Sequence, residues 1–217
     1  MTILFLHGWG GDENSFASLR PFFENAGVKC IYVNFDCSPQ IEMMLDDYVF
    51  QVESILKDKA VQNCTVIAHS FGARIAVLLA QRNPWLVKHM ILTGAAGLKP
   101  RFNTLAWLRI RLYKFTGFGK GSTDYRKLSP AGKRTFQNII KRDLSTVIAA
   151  LTTPTMLIWG GGDKSTPLYM AKRWTKLNKT AILKVYKHAG HFCFLDDTAR
   201  FIKDTWEFLN DSTSNSI

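Results

Sequence analysis

The sequence has few cysteines, no long apolar run and no basic leader, and each absence excludes a class of protein. Its 217 residues include only Cys30, Cys37, Cys64 and Cys193, without C-x-x-C spacing, which excludes a disulfide-rich scaffold and indicates reduced thiols. No apolar run approaches about 18 residues, the length that a membrane-spanning helix needs. Residues 2–6 resemble a strand rather than a signal peptide. We therefore expect a soluble, cytoplasmic protein.

The composition and the hydrophobic pattern predict a single α/β domain over residues 1–217. Apolar residues make up 47% of the chain at a mean hydropathy of -0.04, which is enough for one sizeable core. We predict strands at 2–6, 29–35, 64–68, 89–93, 155–159 and 182–186, and helices from near Leu19 to before Gly27 and at 41–57, 71–81, 168–177 and 198–210. This alternation predicts a mostly parallel six-stranded sheet with helices on both faces.

One serine stands where a predicted strand meets a predicted helix, in the stretch VIAHSFGARIAVLLAQ. A chain that turns from strand to helix at Ser70 crowds its own backbone, so the positions two residues away must be small, and they are Ala68 and Gly72. The hydroxyl is then directed outward, beside the helix N-terminus. This geometry suits a nucleophile, because the Phe71 N–H can donate a hydrogen bond to an oxyanion. The alternative is a serine that only caps the helix.

Three reactive side chains follow predicted strands and are expected at one edge of the sheet. Ser70 follows the third strand, Asp163 the fifth and His191 the sixth, and chemistry in such sheets collects at the carboxyl ends of the strands. A serine hydroxyl needs a base, and a neutral imidazole can take its proton. A buried carboxylate then fixes the imidazole tautomer and balances its positive charge. The predicted roles are nucleophile for Ser70, base for His191 and orienting acid for Asp163.

These motifs resemble those of the α/β-hydrolase family, and in particular its small serine carboxylesterases. The chain has HGWG at residues 7–10, AHSFG at 68–72, GGGD at 160–163 followed by Pro167, and GHF at 190–192. The nucleophile, acid and histidine occur in the order that is typical of the family. Two departures are the alanine in place of the first elbow glycine and the absence of two leading strands, which implies a trimmed sheet.

The resemblance also implies a reaction. It implies that the protein hydrolyses a small-molecule carboxylic ester or thioester through an acyl-enzyme, without a metal or another cofactor. The Trp9 N–H is expected to be the second oxyanion donor beside Phe71, and His7 is expected to brace the loop that holds Trp9. Two alternatives stay open: a triad-bearing lyase or cofactor-free perhydrolase of the same fold, and a ligand-binding protein with a dormant triad.

Residues 98–150 interrupt the alternation, and the resemblance implies that they form a helical cap over the active site. Helices are predicted at 101–115 and 129–144, the second capped by Ser129 with Pro130 at its first position. The sequence of this segment does not identify the substrate.

The same segment carries almost all of the net charge of +11. Residues 98–150 contain 12 basic and 2 acidic residues, whereas the rest of the chain contains 16 and 15. The charge is interpreted as a solvated surface, as an attractor for an anionic substrate tail, or as contact with an anionic membrane surface. Apolar side chains lie among Arg109, Arg111 and Lys114, as interfacial contact would require. Nucleic acid is disfavoured because no recognised binding module accompanies the charge.

Overall fold

Six parallel strands form one sheet in a computed structural model that describes residues 1–100 and 128–214. The strand order is β2-β1-β3-β4-β5-β6. The strands are β1 (Thr2–Leu6), β2 (Lys29–Val33), β3 (Cys64–His69), β4 (Val87–Thr93), β5 (Thr155–Gly160) and β6 (Ala181–Tyr186). The helices are α1 (Arg20–Glu24), α2 (Leu45–Asp58), α3 (Phe71–Arg82), α4 (Pro130–Lys141), α5 (Ser145–Ala150), α6 (Leu168–Leu177), α7 (Cys193–Asp196) and α8 (Thr198–Ser214). The predicted α/β fold is confirmed.

Both faces of the sheet are covered, because successive side chains of the inner strands enter two different cores. In β1, Leu4 packs into the core beneath α2 and α3, while Phe5 packs into the core beneath α1 and α8. In β3, Val66 and Ile67 divide in the same way, and β3 is buried along its whole length. A strand that is apolar on both faces has no alternation in its sequence, which explains the continuous apolar run seen there.

The strands end within two residues of their predicted positions, but two helices have different limits. The helix predicted over 41–57 begins at Leu45, because the residues before it are engaged elsewhere: the Met43 N–H donates to Thr135 Oγ1 over 2.8 Å. The last helix continues to Ser214. The short helices α5 and α7 were not predicted, because four to six residues give too little periodicity.

The interruption at residues 98–150 is described in part. The predicted helix at 129–144 is α4, and its cap is confirmed, since Ser129 Oγ accepts the Gly132 N–H over 2.8 Å and Pro130 is the first helical residue. The helix predicted at 101–115 lies outside the described residues, as do Arg109, Arg111 and Lys114. In the ranges that the structure describes, no helix is long and apolar enough to cross a lipid bilayer.

Helix α3 lies so close to β1 that only glycine fits at its second position. A Cβ atom on Gly72 would overlap the carbonyl oxygen of Leu6 and lie 2.8 Å from the carbonyl oxygen of His7. Both neighbours are backbone atoms, so no side chain can rotate away. The steric reason for a small residue after Ser70 is therefore a close approach of helix to strand.

We expect Gly72→Ala to lower the free energy of unfolding by on the order of 3 kcal/mol or more, since the backbone contact can be relieved only by moving α3 away from β1. Chemical denaturation measures the change. The control is Gly27→Ala, where φ is +73° and nothing lies within 4 Å of the added Cβ, with an expected cost of about 1 kcal/mol from backbone strain. Equal losses in the two variants would contradict the steric account.

Candidate active site

A cavity of about 360 Å³ opens at the carboxyl ends of β1 and β3, beside the turn into α3. The sheet extends from β1 to β2 on one side and from β3 to β4 on the other, so the cavity lies where the strand order reverses, which is the usual ligand site of open parallel sheets. Its described lining residues are Gly8, Trp9, Gly10, Gly11, Ser15, His69, Ser70, His191, Phe192, Phe194 and Leu195. Three of the five predicted site residues, Trp9, Ser70 and His191, therefore line this cavity.

Ser70 stands on a strained turn between β3 and α3. Its φ of 47° and ψ of -105° lie in a region that non-glycine residues rarely adopt. The turn is held by its own backbone: the Ser70 N–H donates to the Thr93 carbonyl, and the Ser70 carbonyl accepts from Ala73 and Ala96. The side chain is only partly buried and is not used as a helix cap. The helix-cap interpretation of Ser70 is therefore wrong.

His191 and Asp163 form a hydrogen-bonded pair at the same edge. His191 Nδ1 lies 2.8 Å from Asp163 Oδ2, so Nδ1 carries the proton and Nε2 is left as the acceptor. The other carboxylate oxygen, Oδ1, accepts the Ser165 and Thr166 N–H groups at 2.8 and 2.9 Å. Thr166 Oγ1 lies 2.8 Å from Oδ2. The carboxylate is thus fixed on both oxygens.

These contacts keep Asp163 ionised. Burial alone would raise the pKa of the Asp163 carboxyl, but the hydrogen bonds from His191 and Thr166 outweigh it and hold the pKa below its ordinary value. A buried carboxylate with this environment remains negative at neutral pH, so it attracts the positive charge of a protonated His191.

In the described turns and loops, neither the Trp9 N–H nor the Phe71 N–H donates to a backbone carbonyl. Phe71 is the first residue of α3, where helix N–H groups are unpaired and the helix dipole is positive. The loop that carries Trp9 is braced by His7, whose Nδ1–H donates to the Gly8 carbonyl and whose Nε2 accepts the Phe35 N–H. Both groups are available to an oxyanion.

Ser70 and His191 line the same cavity, and Asp163 lies behind His191. Among the described residues, Ser70 Oγ makes no direct hydrogen bond to His191. In enzymes without bound substrate such contacts are often long and shorten when substrate binds. Within the described ranges, no three His, Cys, Asp or Glu side chains cluster as metal ligands would.

A family model and solved structures resemble this chain over most of its length. The model described as the alpha/beta hydrolase family matches residues 3–204. The chain belongs to the alpha/beta hydrolase family. An alpha/beta hydrolase from the sediment metagenome of the Mar Chica lagoon has a TM-score of 0.79 at 20% identity, with 97% of this chain and 91% of that one covered. The esterase EaEST of Exiguobacterium antarcticum gives 0.79 at 18%, covering 97% and 92%. At these identities, the structural similarities show a shared fold.

Curated relatives match the chain in part or over most of its length at low identity. Strigolactone esterase D14 of Arabidopsis thaliana is 29% identical over 110 residues, which are 46% of this chain and 40% of that protein. The chain thus spans less than half of that esterase. An uncharacterized protein of Mycobacterium bovis is 23% identical over 256 residues, covering 96% of this chain and 75% of its own.

Two residues of the hydrolase site were missed in the sequence, although each left a signal there. Thr166 lies three residues after Asp163, a spacing at which a carboxylate accepts backbone N–H groups. Gly94 follows β4 at the same edge, with φ of +52°, and an added Cβ would lie 2.9 Å from His191 Nδ1. Both residues fix the position of His191 or its partner.

His69 is a buried histidine that packs against His191. Its ring centre lies 4.6 Å from that of His191, and its Nδ1–H donates to the Thr93 carbonyl over 3.1 Å. Burial, together with the neighbouring His191, lowers the pKa of His69 to about 3. His69 therefore stays neutral, so no second positive charge arises beside His191. His188, by contrast, is exposed.

We expect stability to fall as the pH is lowered from about 7 to 5. Burial also lowers the pKa of His7. Since both buried histidines bind protons more readily in the unfolded chain than in the folded protein, acid favours unfolding below their ordinary pKa near 6.5. Each contributes a slope of up to about 1.4 kcal/mol per pH unit below that value. Urea unfolding at several pH values measures the slope.

His69→Gln keeps a donor for the Thr93 carbonyl and should flatten this slope. His188→Gln is the matched control and should leave the slope unchanged. A slope that is the same in the wild type and His69→Gln would show that His69 is not the buried neutral group. Asp163 does not disturb the measurement, because a carboxyl with a lowered pKa loses its stabilising effect only below about pH 4.

Proposed function

We propose that the protein is a serine hydrolase that cleaves a carboxylic ester or thioester through Ser70, His191 and Asp163, without a metal or another cofactor. The observation that carries the proposal is the strained Ser70 at the mouth of a cavity that it shares with the His191–Asp163 pair. Because all four cysteines are free thiols, we propose the cytoplasm as its compartment.

In the proposed reaction, Ser70 Oγ attacks the carbonyl carbon of the ester while His191 Nε2 takes the hydroxyl proton. The carbonyl oxygen becomes an oxyanion and accepts hydrogen bonds from the Trp9 and Phe71 N–H groups. Asp163 accepts from Nδ1–H throughout and stabilises the imidazolium. Preorganised donors of this kind are worth about 10²- to 10³-fold in rate each.

The intermediate then collapses, and the bond from the carbonyl carbon to the leaving oxygen or sulfur breaks. His191 Nε2 donates its proton to this alcohol or thiol, and the acyl group stays bonded to Ser70 Oγ. Water then enters, gives its proton to His191 and attacks the acyl carbonyl, with the same two N–H groups at the oxyanion. The carboxylic acid leaves as Ser70 regains its proton.

The described cavity wall favours an uncharged group next to the reacting carbonyl. It contains Trp9, Phe192, Phe194 and Leu195, and the described lining includes no Lys, Arg, Asp or Glu. Phe192 and Leu195 are each about half exposed, at 49% and 50%. An apolar acyl or alcohol group would cover them on binding.

We also propose that the basic residues of 98–150 attract an anionic group of the substrate from outside the cavity. The cavity lining that the structure describes offers no cation for such a group, whereas this segment carries 12 basic residues against 2 acidic ones. Long-range attraction would raise the rate of encounter more than the affinity. An anionic membrane surface is an alternative target of the same charge.

Ser70→Ala should abolish turnover of p-nitrophenyl esters, with a loss on the order of 10⁴-fold or more, because the three side chains act as a unit. Fluorophosphonate labelling of the wild type should be rapid and should be lost in this variant. Ser145→Ala, on α5 outside the cavity, is the control and should keep both signals. Stability should change little, since the turn tolerates a small side chain.

Several outcomes would overturn this assignment. Ester turnover within tenfold of the wild type in Ser70→Ala would exclude Ser70 as the nucleophile. Activity that EDTA removes and zinc restores would exclude the metal-free mechanism. A wild type that neither turns over esters nor reacts with the probe would favour a dormant triad, and labelling without ester hydrolysis would favour a lyase or perhydrolase.

The rate constant kcat/KM for a phosphate-bearing acyl ester should fall steeply as the salt concentration rises from about 0.02 to 0.3 M, because the screening length shrinks from roughly 20 to 6 Å. A neutral short-chain ester should show almost no change. Replacing Arg109, Arg111 and Lys114 together by Gln should flatten the response to salt. Replacing Lys57, Lys59 and Lys88, which lie outside the segment, changes the net charge equally and should preserve it. An equal response for both substrates would contradict the attraction.

A further inference from the structure

A buried arginine lies one helical turn after the proposed nucleophile. Arg74 is on α3, four residues after Ser70, and is 6% exposed. Its Nη1 donates to the Ile139 carbonyl over 2.9 Å and to the Arg142 carbonyl over 2.8 Å. These two acceptors belong to the last turn of α4 and to the residue that follows it. Arg74 thus closes the C-terminal end of a helix that lies 55 or more residues further along the chain.

The charge of Arg74 is costly where it lies. Burial lowers the pKa of its guanidinium to about 10, Asp143 opposes the shift and Arg142 adds to it, yet the group remains charged at neutral pH. A methionine of similar length would fill the space without desolvating a charge. The arginine instead donates hydrogen bonds to two carbonyls that have no partner within α4. Its positive charge lies at the negative end of the α4 dipole.

Helix α4 contacts Trp9, a residue of the cavity lining, through an aromatic pair. The Phe136 ring of α4 lies 5.2 Å from the Trp9 ring, and the Trp9 ring lies 5.2 Å from that of Phe71. Phe71 and Arg74 are on the first turn of the same helix, α3. The contacts therefore form a closed circuit from α3 through Trp9 and Phe136 to α4, and from α4 through Arg74 back to α3.

Other bonds anchor α4 at its beginning, at its middle and at its end. Ser129 Oγ donates to the Pro39 carbonyl, Thr135 accepts from Met43, and Arg134 pairs with Glu42. At the far end, Arg142 pairs with Asp46, which also pairs with Arg82.

Those bonds attach α4 to the segment before α2 and to Asp46 on α2, which also pairs with Arg82 at the end of α3. Arg74 bonds the end of α4 directly to the first turn of α3, the turn that follows the proposed nucleophile.

We infer that Arg74 is a positioning residue that holds α4, and through Phe136 the Trp9 loop, in the arrangement that aims the Trp9 N–H at the oxyanion. The inference rests on the proposed function, because the oxyanion role of Trp9 belongs to that proposal. Without the two hydrogen bonds, the end of α4 would move away from α3, and the Trp9 ring would lose its contact with Phe136. Small displacements of such groups cost on the order of 10- to 100-fold in rate.

The test compares Arg74→Met with Arg82→Met, a matched substitution at the other end of the same helix. Arg82 pairs with Asp46 and Glu53 on α2, and its loss leaves the Arg142–Asp46 pair of α4 in place. Arg74→Met should lower kcat for a neutral short-chain ester about 10- to 100-fold, with a smaller change in KM. Hydrogen exchange should speed up in residues 8–11 and 129–142. Arg82→Met should leave kcat and the exchange of residues 8–11 unchanged.

Further variants at Arg74 and Phe136 separate a positioning role from a general loss of stability. Arg74→Lys keeps one charged donor and should recover part of kcat, and millimolar guanidinium should raise kcat of Arg74→Ala but not of the wild type. Phe136→Leu should lower kcat in the wild type and add little in Arg74→Met, because both changes break the same circuit. If Arg74→Met fails to fold, Arg74→Lys supplies both readouts.

A lowered melting temperature with kcat within twofold of the wild type would overturn the inference, as would additive losses in the double variant. An inactive wild type would refute the proposed function instead. Hydrogen exchange would then still decide whether Arg74 links α4 to the Trp9 loop, since that measurement needs no turnover.

Discussion

The close contact between the start of α3 and the end of β1 is the constraint on which the site depends. Gly72 lets the helix backbone rest against the Leu6 carbonyl, and this contact forces the chain to turn at Ser70 with a positive φ. The turn exposes the serine side chain, leaves the Phe71 N–H without an acceptor and brings the Trp9 loop beside it. The proposed nucleophile and both proposed oxyanion donors are thus positioned by one backbone contact between α3 and β1.

Sequence reasoning predicted the parts of the site that strand ends determine. Ser70, Asp163 and His191 each follow a short apolar strand, and parallel strands bring their carboxyl ends together whatever the helices do. Local spacing was also sufficient for the Ser129 cap. Arg74 could not be predicted in this way, because its partners lie 65 and 68 residues away and nothing near it in the sequence indicates them. The later start of α2 has the same cause, a bond from Met43 to Thr135.

The electrostatics of the described site separate neutral groups from charged ones. Burial lowers the pKa of His7 and of His69 and keeps both rings neutral, whereas the negative charge of Asp163 lies against His191. The net positive charge of the chain is concentrated instead in residues 98–150. Under the proposed function, the ester group would lie in a part of the cavity whose described lining has no Lys, Arg, Asp or Glu, and an anionic part of the substrate would meet its counter-charges elsewhere.

The contacts of α4 also bear on the order in which the protein is assembled. Ser129 and Thr135 bond to residues about 90 positions earlier in the chain. During synthesis, His191 is added more than a hundred residues after Ser70. On a ribosome that interval lasts on the order of ten seconds. During that time the nascent chain contains the serine and its turn but no base, so it cannot attack an ester. The proposed reactive centre is completed only when β6 joins the edge of the sheet and brings His191 beside Ser70.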